Sequence, residues 1–130
     1  MPACDLYQSA WFKKARRYAE QRGDAYFILS AKHGLLRPDA VIDPYERTLV
    51  DMTRRERIYW ANWVLLELAL ASEPCHVVVL AGRLYREFVV DGLLRGGYTV
   101  EVPMEGLGIG QQLRWLDEHV HEQSEQLNLF

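Results

Sequence analysis

The chain has 130 residues and a net charge of −3, and 49% of its residues are hydrophobic while 25% are charged. This is the composition of an ordinary globular protein, and the length is most simply that of one domain with a real core. The acidic balance excludes a basic protein that coats nucleic acid, so any contact with nucleic acid needs a local basic patch.

The spacing of apolar residues predicts helices and strands in alternation. A helix begins after Ser9, which caps it, and ends near residue 22, followed by a strand over residues 25–30. After a long loop, residues 31–50, Thr53 and Glu56 form a capping box for a helix that ends near residue 72. A strand over residues 76–81, a helix from Gly82 to residue 94, a strand over residues 98–102 and a helix from about Gly110 follow.

Alternating strands and helices with apolar strands favour a mostly parallel sheet covered on both sides, which is a small three-layer α/β fold. We expect one α/β domain over residues 1–122 and a separate tail over residues 123–130. Ligands of such sheets bind beyond the carboxyl ends of the strands. The loops after Ser30, Ala81 and Val102 are therefore predicted to form one site.

The first of these loops carries Ser30, Lys32, His33 and Gly34. Lys32 and His33 could bind a phosphate or polarise a carbonyl, His33 could move protons near neutral pH, and Ser30 could donate to an anion. Gly34 lets the backbone turn sharply. The alternative is a turn with solvated polar side chains, which the sequence alone slightly favours.

Asp43 lies further along the same long loop, and loops of this length inside a domain are usually functional or disordered. Its carboxylate is a candidate for the site. The alternative is that Asp43 caps a turn before Pro44.

The second and third loops are rich in glycine. Gly82 separates a strand from a helix and so exposes N–H groups that favour anions, although it could merely permit tight packing. Three alternating glycines before the last helix could wrap a phosphate, and a glutamine could read an amide or a base edge, although loop closure is the simpler explanation. The residues concerned are Gly106, Gly108, Gly110 and Gln111.

The last five residues of the sequence carry two leucines and a phenylalanine, an apolar set that needs a partner or a fold to cover it. Gln126, Leu127, Leu129 and Phe130 resemble the pentapeptide by which bacterial DNA polymerases and repair proteins bind the sliding clamp. The resemblance implies that the clamp is a partner. The alternative is that this segment packs on its own domain.

Several segments together resemble an uncharacterised prokaryotic domain family: residues 5–9, 27–35, 43–45, 80–85 and 106–116. That family is distantly similar to the peroxide-stress protein YaaA and to the core of archaeosine synthase, which belong to nucleic-acid protection and deazaguanine modification. The resemblance implies an α/β fold and a site at Ser30, His33 and Asp43. Tyr45 and Tyr85 lie in the shared segments and are candidate binding residues.

One departure concerns the beginning of the chain. Members of that family usually begin with a further strand that ends in a Cys-Ser-x-x-Lys segment, whereas here only the four residues Met1 to Cys4 precede the first shared motif. Either the strand and its lysine are missing or the start has been set too late, and Lys32 is a poor substitute for that lysine. Without the strand, an open sheet edge would favour pairing into a homodimer.

Two functions remain open. The first is an enzyme that acts on a nucleobase, a nucleotide or DNA, with His33 as acid and base, Asp43 as the orienting carboxylate, and Ser30 with the glycine loop holding an anion. The second is a non-catalytic DNA-associated module recruited to the sliding clamp.

We predict no metal or cofactor. Cys4 and Cys75 without a secretion signal favour a cytoplasmic location with no membrane contact.

Overall fold

The computed structural model describes residues 1–3, 9–22, 25–43, 47–119 and 126–130, in which helices alternate with short strands. Its helices are α1 (Ala10–Arg22), α2 (Arg54–Ala71), α3 (Arg83–Arg95) and α4 (Ile109–His119). Its strands are β1 (Ala25–Ser30), β2 (Gly34–Leu36), β3 (His76–Val79), β4 (Thr99–Glu101) and β5 (Leu127–Leu129). None of the described helices is long and apolar enough to cross a membrane.

The five strands form one sheet in the order β2-β1-β5-β3-β4. Strands β1, β5, β3 and β4 run parallel to their neighbours, and β2 runs antiparallel to β1. Parallel neighbours need crossover connections, and helices provide them here. The predicted mostly parallel α/β sheet is confirmed.

Each face of the sheet buries its own hydrophobic cluster. On one face, α2 and α3 pack on alternate strand residues such as Leu29 and Val79. On the other face, α1 and α4 cover Ile28, Val78 and Phe130. Because successive side chains of a strand point to opposite faces, strands covered on both sides are apolar throughout. The three predicted layers follow from this arrangement.

The beginnings of α1 and α2 are fixed by the capping residues that the sequence indicates. The Ser9 hydroxyl oxygen accepts a hydrogen bond from the N–H of Phe12 at 3.1 Å. Thr53 accepts from the N–H of Glu56 at 3.2 Å, and the Glu56 carboxylate accepts from the N–H of Thr53 at 3.0 Å. These bonds satisfy N–H groups that the first turn of a helix leaves without partners, and both predicted caps are confirmed.

Strand β2 lies in the segment that was predicted as one long loop. It forms a hairpin with β1, in which Ser30 is opposite Gly34 and Ile28 is opposite Leu36. Gly34 has a φ of 72°, a conformation that suits glycine. A strand of three residues is too short to show the alternation by which strands are predicted.

Residues 127–129, which were expected to lie in a tail outside the domain, form the central strand β5 of the sheet. Strand β5 pairs with both β1 and β3, so that Leu127 is aligned with Ala25 and with Val77. Leu129 has no exposed surface. The apolar side chains that suggested a docking peptide are covered by the domain itself, and the predicted boundary after residue 122 lies outside the described residues.

Two polar side chains of this strand are also inside the protein. Gln126 Nε2 donates to Asn128 Oδ1 at 2.7 Å and to the Tyr18 hydroxyl at 3.2 Å. The glutamine that would bind a sliding clamp is therefore occupied within the domain. Clamp binding stays a prediction, and it would require β5 to leave the sheet.

The order of the strands also bears on the expected homodimer. In the described sheet β5 lies between β1 and β3, and the edge strands are β2 and β4. A homodimer that pairs through an open sheet edge stays a prediction.

Candidate functional site

The turn after β1 places Ser30, Lys32 and His33 beside the beginning of β2. The Ser30 hydroxyl oxygen accepts a hydrogen bond from the N–H of His33 at 3.0 Å, and its side chain is buried. The carbonyl oxygen of Ser30 accepts a hydrogen bond from Trp60 Nε1 at 2.8 Å. These bonds fix the turn against α2. Roles of Ser30 and His33 in binding or catalysis stay predictions.

A pocket of about 300 Å³ opens next to this turn. Its walls come from the turn, from the segment that leads into α2, and from the first half of α2. The lining residues are Ala31, Lys32, Arg47, Met52, Glu56, Tyr59, Trp60 and Trp63. Of the residues predicted for the site, Lys32 lines this pocket, whereas Ser30, His33 and Asp43 do not.

The pocket combines aromatic rings with charges of both signs. Trp60 is almost completely buried, whereas Tyr59 and Trp63 remain 64% and 42% exposed. Rings with accessible faces can stack on a planar ligand. Lys32 and Arg47 are cationic groups that suit a phosphate or carboxylate.

The carboxylate of Glu56 is the negative group of this pocket. The pKa of Glu56 is lowered, chiefly by the hydrogen bond from the backbone of Thr53, then by the Thr53 side chain, and also by the charge of Arg47. Glu56 is thus ionised at neutral pH, and its charge opposes an anionic ligand near Arg47.

A second, more open depression adjoins the pocket and shares Tyr59 with it. Its other lining residues are Arg54, Arg55 and Ile58, and its volume is about 560 Å³. The guanidinium of Arg55 lies 6.0 Å from the centre of the Tyr59 ring. The nearby Arg57 instead binds Glu87 at 3.2 Å and the carbonyl of Met52 at 2.8 Å. Arg54 and Arg55 are therefore the exposed cations at this end of α2.

Of Gly82 and Tyr85, the tyrosine contacts a residue of the pocket lining. The ring of Tyr85 meets the ring of Trp60 edge to face, with 5.7 Å between the ring centres. Gly82 is the residue before α3, and a Cβ atom there would meet no other atom within 4 Å. Tyr85 thus supports Trp60, which binds Ser30, so the first two predicted loops are brought together.

The glycine loop is bonded to the first turn of α4, and that turn is bonded to α1. Gly108 donates its N–H to the side-chain oxygen of Gln111 at 3.0 Å, and Trp11 Nε1 donates to the side-chain oxygen of Gln112 at 2.9 Å. Gly106 has a φ of 82°, as a turn requires. Binding by Gly106, Gly108, Gly110 or Gln111 stays a prediction.

Asp43 is exposed, and Tyr45 lies outside the described residues. In the part of the chain that the structure describes, no group of three or more His, Cys, Asp or Glu residues is arranged to hold a metal ion.

Sequence analysis missed Arg47, Tyr59, Trp60 and Trp63 as site residues. A signal was present, because three large aromatic residues occur within five positions of a helix that begins with arginines. The prediction concentrated on the ends of strands, whereas the wall of this pocket is the side of a helix.

Comparison of the sequence with known proteins shows the family to which this chain is related. A model described as a family of unknown function, DUF6884, matches residues 1–118. A curated relative is the uncharacterized protein YfjM of Bacillus subtilis (strain 168), which is 31% identical over 125 residues, covering 93% of this chain and 81% of the relative. No solved structure matches the chain. The chain belongs to the family of unknown function DUF6884.

Proposed function

We propose that the protein is a nucleic-acid-associated protein of DNA maintenance or base modification that binds a nucleotide unit, free or within DNA, in the pocket beside the Ser30 turn. The observation that carries the proposal is the lining of this pocket, in which the partly exposed side chains of Tyr59 and Trp63 occur together with Lys32 and Arg47. The sequence motifs resemble a family that is distantly similar to YaaA and to the core of archaeosine synthase, and this distant similarity supports the same class of ligand.

In the proposed complex, the aromatic rings contact the base and the cationic side chains contact the phosphate. Stacking of a base on an aromatic side chain is worth about 1–3 kcal/mol and tolerates any base. Lysine and arginine add contacts to phosphate, which give affinity without reading sequence. Because the whole chain is acidic, these local cations must supply the attraction.

A catalytic step at the bound unit is a further part of this proposal. Lys32 lines the pocket, and His33 is the next residue of the same turn. We propose His33 as the acid and base, as expected from the sequence. The enzymatic role is supported if the wild type converts a nucleotide or modified base and a His33→Ala protein binds the same compound normally without converting it. If the wild type converts none, the protein is a binding module.

The binding experiment uses fluorescence anisotropy with a short labelled DNA single strand, with guanosine monophosphate as the competitor. Lys32→Ala and Arg47→Ala should each weaken binding by roughly threefold to tenfold and reduce its salt dependence, because each removes a phosphate contact. Tyr59→Leu should weaken binding because it removes the ring that stacks on the base, while leucine keeps an apolar side chain at this position.

Arg95→Ala is the matched control, since Arg95 is an exposed arginine on α3 that pairs with Asp91 at 2.7 Å, outside the pocket lining. Its affinity should equal that of the wild type. An equal loss of affinity in Arg95→Ala and Arg47→Ala would indicate that the ligand is attracted by charge without a specific site. If the wild type binds neither the DNA strand nor guanosine monophosphate, the proposal is wrong.

A further inference from the structure

Helix α2 carries large apolar side chains on both of its sides. Its inner side, with Trp60, Val64 and Leu68, is buried in the core. Its other side carries four large side chains that we call the outer stripe: Tyr59, Trp63, Leu66 and Leu70, which are 64%, 42%, 62% and 82% exposed. A helix that is apolar all round is usually covered all round.

The outer stripe is continuous along the helix. Its members are separated by four, three and four positions, the spacing that places side chains one above another on one face. Scattered exposed apolar residues are common on protein surfaces, but a contiguous row of this kind marks a surface that another molecule covers. Leu66 and Leu70 lie beyond the pocket and the adjoining depression, so a ligand bound there would leave them exposed.

Charges at the two ends of the outer stripe indicate which molecule covers it. Arg55 lies one turn before Tyr59, and Glu73 lies just beyond Leu70; both are exposed. The stripe therefore begins with a positive charge and ends with a negative one. Such a surface is complementary to its own copy turned end to end, whereas two copies in parallel would bring like charges together.

We propose that a second copy of this chain packs on the outer stripe in antiparallel orientation, forming a homodimer with two-fold symmetry. In this register Tyr59 contacts the partner's Leu70 and Trp63 contacts the partner's Leu66. Arg55 then faces the partner's Glu73, and the symmetry repeats each contact. The dimer is formed by helices rather than by the sheet edge that sequence analysis favoured.

The inference does not depend on the proposed function. Tyr59 and Trp63 belong both to the outer stripe and to the pocket lining, so the partner would cover ring surface that the proposed function assigns to a base, and the partner and a bound nucleotide would compete for it. Leu66, Arg55 and Glu73 do not line that pocket. Variants at these three positions therefore test the dimer separately from nucleotide binding.

The experiment is sedimentation velocity of the full chain over a concentration series. The wild type should be a dimer in the micromolar range, and Leu66→Glu should be a monomer with an unchanged circular dichroism spectrum, because a charge is placed in the centre of the apolar contact. Leu94→Glu is the control, since Leu94 is a 56% exposed leucine on α3, outside the outer stripe. It should remain a dimer.

A charge exchange tests the antiparallel register. Arg55→Glu and Glu73→Arg should each raise the dissociation constant of the dimer by roughly tenfold, because each replaces an attractive pair with a repulsive one at both ends of the interface. The double variant should restore the wild-type constant. A monomeric wild type, a Leu94→Glu protein that dissociates as readily as Leu66→Glu, or a double variant that is not restored would overturn the proposal.

Discussion

The indole nitrogen of Trp60 donates a hydrogen bond to the carbonyl oxygen of Ser30 at 2.8 Å, so the floor of the pocket is attached to the end of β1. Both groups are buried. The indole gives this carbonyl oxygen a hydrogen-bond partner in a place from which water is excluded.

Replacing Trp60 with phenylalanine should therefore lower the free energy of unfolding by about 1–3 kcal/mol, because the Ser30 carbonyl loses a buried partner. Urea denaturation followed by circular dichroism measures this change. Trp63→Phe, at a 42% exposed indole, should change the free energy by no more than about 0.5 kcal/mol. Equal losses in the two variants would show that the Trp60 bond contributes nothing specific.

Trp60 was not predicted from the sequence, whereas much of the fold around it was. The layers, the parallel strands and both helix caps follow from local signals: apolar runs, a serine before a helix, and the Thr53 and Glu56 pair. The loop with Ser30 and Lys32 was also identified, because strand ends in such sheets are the usual ligand sites. These features depend on neighbours in sequence or on a general property of the fold.

Features that depend on long-range pairing were not predicted. Strand β5 lies between strands that are far from it in sequence, and a segment of three residues does not reveal that it will be central. The pocket joins Lys32 with Arg47 and with the side of α2, and only the folded chain brings these groups together. The residues missed at the site are therefore those whose role depends on tertiary contacts.

The central position of β5 predicts a large effect of Leu129→Ala. Leu129 is fully buried among Leu29, Val79 and other core residues, so the substitution should cost about 2–5 kcal/mol of unfolding free energy. Thermal or urea denaturation measures the loss. Leu94→Ala, at an exposed leucine, should change stability by no more than about 0.5 kcal/mol.

The same variant examines the clamp prediction. If residues 126–130 served as an exposed docking peptide, Leu129→Ala would abolish clamp binding and leave the melting temperature unchanged. The buried contacts of β5 lead us to expect instead a lower melting temperature of Leu129→Ala, and clamp binding only by a form in which β5 has left the sheet.

Gly34→Ala should disturb both the β1–β2 hairpin and the pocket rim. Gly34 has a φ of 72°, and an added Cβ would lie 2.5 Å from Glu67 Oε1 and 3.0 Å from an atom of the Trp63 ring. The Glu67 side chain accepts a hydrogen bond from the N–H of Leu35, so moving it has a cost. We expect a loss of about 1–3 kcal/mol of stability and weaker ligand binding through the displaced Trp63 ring.

The matched control for this variant is Gly110→Ala. Gly110 lies near the beginning of α4, where an added Cβ would meet no atom within 4 Å, and alanine favours helix formation. Its melting temperature should stay the same or rise. If Gly34→Ala were as stable as the wild type, the hairpin would tolerate a different conformation at this turn.

Glu56→Gln should tighten the binding of a nucleotide by roughly twofold to tenfold, because it removes the negative charge that opposes a phosphate near Arg47. Glutamine can still accept the hydrogen bond from the Thr53 N–H, so the capping box of α2 is kept. Anisotropy titrations of both proteins at neutral pH measure the effect, and high salt should reduce it.

Measurements at different pH separate the two roles of the Glu56 carboxylate, which stabilises the beginning of α2 and opposes a phosphate near Arg47. Since the folded state holds the pKa of Glu56 below its ordinary value, the ionised carboxylate stabilises α2 above that value, and this stabilisation is lost as the pH falls through the lowered pKa. The wild type should therefore lose stability in this acidic range more steeply than Glu56→Gln. At neutral pH both proteins carry the same cap and differ only in the charge beside Arg47. An equal nucleotide affinity of the two proteins there would mean that phosphate does not bind on the Arg47 side of the pocket.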